Sequence, residues 1–157
     1  MTRSYSSAFS TPFFGRIKEL VDIPAHLENP ECRLLTLTGQ GGSGKTRLAI
    51  EAAKTVAAQF GHGTVFVGLQ PLTRSDLIVP AIALAVGLTF YGEGEPQNQL
   101  LDYLRGKTLL LILDNFEHLL DGAELVNKIL AHAPGVKVLA TSRVAPRQSS
   151  LTGLCTS

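Results

Sequence analysis

The chain has 157 residues, 45% of them hydrophobic and 17% charged, with a formal net charge of +1. That length and balance predict one globular domain with a core of its own and exclude a disordered chain. The near-neutral charge supplies no basic field, so no direct nucleic-acid binding is expected from this segment.

Residues 1–12, rich in Ser and Thr, read as a flexible lead-in, and Arg3 has no sustained apolar core after it, which argues against a signal peptide. Phe13-Phe14-Gly15-Arg16 opens a short helical pattern with Ile17, Leu20, Val21 and Leu27 on one face, broken at Asn29-Pro30. A first strand is expected at about 33–38. The helix after Thr46 places Leu48, Ala49, Ala52, Ala53, Val56 and Phe60 at helical spacing, with Gly61 as its C-terminal cap. Val65-Phe66-Val67 reads as a second strand and 74–86 as a helix, although Pro80 opposes an unbroken one.

Gly92-Glu93-Gly94-Glu95-Pro96 is an exposed turn, and a short helix to Arg105 turns Leu100, Leu101 and Leu104 inward. Thr108 to Leu113 is a solid apolar run, as a strand covered on both faces requires. A helix over about 117–132 carries Leu119, Leu120, Ala123, Val126 and Leu130 on one side. Val136-Lys137-Val138-Leu139-Ala140 is a fourth strand. Strands alternating with helices predict an α/β fold, a three-layer α/β/α sandwich on a mostly parallel sheet.

Cys32 and Cys155 are the only cysteines, far apart and without metal-ligand spacing, which argues against a disulfide scaffold and fits a reducing cytosol. His26, His62, His118 and His132 form no metal cluster. The longest apolar stretch, Leu77 to Phe90, carries Pro80 and Gly87 and falls short of the roughly 20 residues a bilayer needs. A cytoplasmic location without a membrane partner is the expectation.

Gly39-Gln40-Gly41-Gly42-Ser43-Gly44-Lys45-Thr46 satisfies G-x-x-x-x-G-K-[ST], between an apolar strand and a helix. Its glycines let backbone N–H groups converge on a phosphate without a Cβ in the way. Lys45 can reach the β- and γ-phosphates, and the Thr46 hydroxyl can sit on Mg²⁺. The pyrophosphate would lie at the positive end of the following helix. The expected nucleotide-binding set runs from Gly39 through Thr46 and includes Arg47.

Asp114 ends the buried run Leu109-Leu110-Leu111-Ile112-Leu113, where parallel α/β sheets bind ligands, and it is expected to hold Mg²⁺ opposite Thr46. The next position is Asn115, which can bond a water but cannot take its proton. Glu117 is the nearest carboxylate and a candidate catalytic residue, but a helix start accounts for it without catalysis. Firm nucleotide binding with slow or conditional hydrolysis follows. Arg143 closes the fourth strand, placed to contact γ-phosphate charge or to stand in solvent.

These residues carry a resemblance. Phe14-Gly15-Arg16-x-x-Glu19-Leu20 and Leu34 through Ala49 resemble the opening of signal-transduction NTPases of the STAND class, closest to the NB-ARC-like ATPase domains of bacterial LuxR- or AfsR-type transcriptional regulators. Leu111 through Leu120 looks like that group's Walker B segment, and Val138 through Arg143 like its sensor strand. The resemblance implies an ATP/ADP switch: ADP holds a closed form, and exchange for ATP opens it for oligomerisation or output. It also implies that Phe14-Gly15-Arg16 helps cover the adenine, and that sensor and output domains are partners in an intact family protein.

The resemblance spans 13–147. Such proteins continue into a further strand, a helical subdomain and a winged helix, whereas Gln148 to Ser157 lacks clear periodicity and is expected to be an unstructured tail. An incomplete module is the expectation, with strand 33–38 left as an unpaired apolar edge. Three other readings compete: a small P-loop kinase, for which 68–107 offers only Arg74 and Arg105; a DNA-binding regulator, against which the charge counts; and a non-functional fragment.

Overall fold

Apolar runs that alternate with amphipathic stretches must bury both faces of a sheet under helices, and the computed structural model shows how they do so. It describes residues 17–39, 44–72, 74–116, 122–143 and 152–156. In chain order the elements are α1 (Ile17–Glu28), β1 (Leu34–Gly39), α2 (Lys45–Val56), β2 (Thr64–Gly68), α3 (Ile78–Val86), α4 (Pro96–Arg105), β3 (Leu109–Asp114), α5 (Gly122–His132), β4 (Val136–Arg143) and β5 (Thr152–Thr156). The sheet order is β2-β3-β4-β1-β5. The β2–β3, β3–β4 and β4–β1 pairs are parallel, and β5 runs antiparallel to β1.

Side chains along β3 alternate between two cores, as the pleat dictates. Leu110 and Ile112 join Leu35, Leu37 and Leu139 beneath Leu48, Ala52 and Val56 of α2 and Ile23 and Leu27 of α1. Leu109, Leu111 and Leu113 join Val136, Val138 and Ala140 on the opposite face, beneath Ile82 of α3, Leu100 and Leu104 of α4, and Ile129 of α5. Both faces are covered, which is why the run reads as solidly apolar. Each such side chain contributes about 1.5–3 kcal/mol on leaving water.

Two cations tie the helices to the sheet. The Arg33 guanidinium, just before β1, donates to the carbonyls of Leu130 (3.2 Å), Ala133 (2.8 Å) and Val136 (2.8 Å), at the end of α5 and the start of β4. Lys137 of β4 donates through Nζ to the carbonyls of Leu27 (2.5 Å) and Asn29 (2.8 Å), at the end of α1. Positive charge at a helix C-terminus answers both the unpaired carbonyls and the dipole. Burial, with the Arg33 charge second, holds the Lys137 pKa below its ordinary value.

Several sequence expectations are corrected. The expected helix over 74–86 divides into a 3₁₀ turn, Ser75–Leu77, and α3, which places Pro80 in the first helical turn, where its missing N–H costs no bond. The helix after the loop stops at Val56 and passes into a 3₁₀ turn closed by the Phe60 N–H on the Ala57 carbonyl (3.1 Å), so Gly61 is not its cap. The helix expected from 117 is described from Gly122 onward, and residues 117–121, like 1–16, lie outside the described residues.

The largest correction is at the C-terminus. Residues 152–156, expected to be unstructured, form β5 and pair with β1 from Leu34↔Thr156 to Thr38↔Thr152. The bare β1 edge is therefore occupied. An unpaired row of N–H and C=O groups accepts a strand through its backbone, whatever the side-chain period, and that is why periodicity did not reveal it. Cys32, expected as a thiol, is disulfide-bonded. The chain's other cysteine, Cys155, stands opposite Leu35 in the β1–β5 ladder, so the fold brings together segments far apart in sequence.

Candidate functional site

The site forms where β1, β3 and β4 end on one side of the sheet and α2 begins. Gly44 is the N-cap of α2 at φ 84°, a left-handed conformation open to glycine at little cost. Its carbonyl accepts the Leu48 N–H at 2.9 Å, so the helical ladder starts at once. The N–H groups of the first turn have no acceptor within the helix.

Asp114, the last residue of β3, is fixed at backbone and side chain. Its carbonyl accepts the Leu69 N–H at 2.9 Å. Its Oδ1 accepts two hydroxyls, Thr46 Oγ1 at 2.7 Å and Thr141 Oγ1 at 2.7 Å. Thr141 is 1% exposed, and its Oγ1 also accepts the Asn115 N–H at 2.9 Å. The Phe116 N–H reaches the Thr141 carbonyl at 2.9 Å. Asn115 sits at φ 66°, a strained conformation that asparagine tolerates better than most residues, and such outliers concentrate at functional sites.

The predicted residues thus converge in part. Thr46 and Asp114, 68 positions apart, meet directly. Lys45 opens α2, and the half-buried Arg47 follows one residue after Thr46. Gly39 ends β1 in register with Arg143, which ends β4, so the sensor-like residue closes the strand beside the loop. Gln40, Gly41, Gly42 and Ser43 lie outside the described residues, as does Glu117. Sequence reasoning gave Thr141 no role. The only available signal was a hydroxyl residue at the end of the strand next to Asp114, and its significance depends on the β3–β4 pairing.

The donor set suits a hard cation. Thr46 and Asp114 offer oxygens 2.7 Å apart, close to the roughly 2.9 Å between neighbouring oxygens around octahedral Mg²⁺. No group of three or more His, Cys, Asp or Glu capable of holding a metal occurs among the described residues. No helix among the described residues is long and apolar enough to cross a membrane.

Two provisionally named HTH-type transcriptional regulators, of Mycobacterium bovis and Mycobacterium tuberculosis, are each 43% identical over 112 residues, covering 71% of this chain. The chain spans only 12% of the length of these relatives. Among solved structures, Cdc6p from Pyrobaculum aerophilum superposes with a TM-score of 0.68 at 17% identity, over 90% of this chain and 42% of that one. The Aeropyrum pernix ORC2 protein, solved as ADPNP-ADP complexes, gives 0.64 at 19% identity, over 91% and 44%. These likenesses establish the α/β P-loop NTPase fold. Residues 29–140 match the AAA domain family, and this chain belongs to that family.

Proposed function

We propose that the chain is an ATP/ADP-binding switch module of a STAND-type signalling ATPase, working within a transcriptional regulator. The observation that carries this reading is the direct Thr46–Asp114 contact, which joins the start of the loop helix to the end of the central strand. The HTH-type regulator names of the relatives support the regulatory setting, and the ADPNP and ADP of the ORC2 complexes support adenine as the base.

In this reading the backbone N–H groups of Gly39 to Thr46 bind the phosphates, with Arg47 flanking them. Lys45 neutralises β/γ charge, and Arg143 contacts the γ-phosphate. Thr46 and Asp114 would hold Mg²⁺, which when bound supplies charge neutralisation across the β- and γ-oxygens. Thr141 keeps the Asp114 carboxylate aimed by donating to its Oδ1. Asn115 orients a water without accepting its proton, so turnover is slow or conditional, and Glu117 is the remaining candidate base. Sensor and output domains of the whole regulator would read the nucleotide state.

Thermal unfolding with Mg·ATP, Mg·ADP and Mg·GTP tests the reading. Adenine nucleotide at 100-fold above its Kd should add about 2.7 kcal/mol of stability. A cooperative transition indifferent to all three would sink the nucleotide reading. Asp114→Ala should weaken the Mg²⁺ dependence of ATP binding, and full persistence of that dependence would remove Asp114 from the metal site.

A further inference from the structure

The fold leaves an open concavity at the opposite end of β3 from Asp114. It has a volume of about 380 Å³ and is lined by β2, the end of α3, one side of α4 and Leu109 at the start of β3. Leu109 and Asp114 are the first and last residues of β3, so the two places are roughly 17 Å apart at strand rise. The volume lies in the range of small-molecule pockets, which combine apolar walls with a few fixed polar groups.

Val65, Phe66, Val86 and Leu109 supply apolar wall. Leu84 also lines the cavity and is 84% exposed, a large apolar side chain that folding leaves in water. The polar groups are cationic or donating. Lys107 Nζ stands 4.6 Å from the centroid of the Tyr103 ring. That ring is held by its hydroxyl, which donates to the Val86 carbonyl at 3.2 Å. His62 Nδ1 accepts the Thr108 N–H at 2.8 Å, which puts the hydrogen of the neutral ring on Nε2 as a donor.

No Asp or Glu lines the cavity, and the nearby Asp102 is paired with Arg105 at 3.3 Å. The negative end of α3 is largely answered within the protein. Its Ala83 and Leu84 carbonyls accept the Gly87 N–H, and Ala83 also accepts the Leu88 N–H at 2.8 Å. An apolar slot with an ammonium and an imidazole N–H among its walls is complementary to one kind of ligand.

We propose that this cavity is a binding site, separate from the nucleotide residues, for a small amphipathic monocarboxylate. The apolar or aromatic body lies against β2 and α3, and the carboxylate pairs with Lys107. The β2 edge itself is the outer edge of the sheet, so an added peptide strand is the competing occupant.

The test titrates the ¹⁵N-labelled full chain with 4-phenylbutyrate and, separately, with its neutral amide. Saturable shifts should cluster at 62–66, 84–88 and 103–109. The carboxylate should bind at least about fivefold tighter than the amide, as a partly exposed charge-assisted bond provides. Lys107→Gln should bring the carboxylate down to the amide's affinity, with the rest of the spectrum and the amide's own binding unchanged. Equal affinities in the unaltered chain, or the absence of saturable shifts, would overturn the proposal. So would shifts confined to 64–68, the mark of a ligand on the open edge, or to 44–47, the mark of the nucleotide site.

Discussion

The two ends of β3 lie one strand length apart and are built in opposite ways. At the Asp114 end, three side chains from α2, β3 and β4 meet through two hydroxyl bonds to one carboxylate oxygen. At the Leu109 end, β2, α3 and α4 leave between them a concavity with largely apolar walls. The first end is specified by a few short, directional contacts, each tied to a residue type. The second is specified by how far helices can approach a sheet, which no single residue announces. A polar site is therefore written into sequence more plainly than a cavity is.

The strongest test of that contrast strikes what both ends share. Leu111, fully buried in the middle of β3, should cost about 2–5 kcal/mol on truncation to alanine, read from urea unfolding. A loss under 1 kcal/mol would mean that β3 is not the common spine.

The next effect should be confined to the polar end. Lys45→Ala should weaken Mg·ATP binding by about 2–3 kcal/mol, roughly a hundredfold, by calorimetry, as loss of a bond between charged groups does. The unfolding midpoint without nucleotide should hold, because Lys45 opens α2 outside the apolar core. Unchanged affinity would remove Lys45 from phosphate binding.

Thr141→Val keeps the shape and removes the hydroxyl, leaving the Asn115 N–H and Asp114 Oδ1 one partner short. A stability loss of about 1–3 kcal/mol is expected, accompanied by weaker Mg²⁺ dependence of nucleotide binding. Stability loss alone, with the Mg²⁺ response intact, would make Thr141 a packing residue.

The smallest effect on nucleotide binding belongs to the other end. A Cβ on Gly135 would come within 2.5 Å of the Lys107 carbonyl oxygen, so Gly135→Ala must displace backbone beside the cavity. A cost of about 3 kcal/mol is expected, at the upper end of overpacking because a backbone carbonyl must move, with Mg·ATP affinity unchanged. A matching loss of nucleotide affinity would show that the two ends are coupled through β3.

Much of the fold was legible because strand and helix periods are local. The run at 109–113 announced a strand buried on both faces, and the spacing from Leu48 to Val56 announced the inner face of α2. Pro80 was read as a threat to a long helix, when the chain had only to begin that helix later. β5 was invisible because what holds it to β1 is the backbone ladder, to which side-chain period contributes little.

The amino-acid sequence by itself determined the layered α/β class and the phosphate-loop pattern, since both rest on short motifs and local periodicity. Only the tertiary structure decided that the C-terminal segment covers the β1 edge, that Thr141 anchors Asp114, and that a cavity with Lys107 among its walls opens at the far end of β3. Each of those depends on which strands become neighbours, and neighbourhood is set by the burial of the whole sheet between its helices, not by any one stretch of chain.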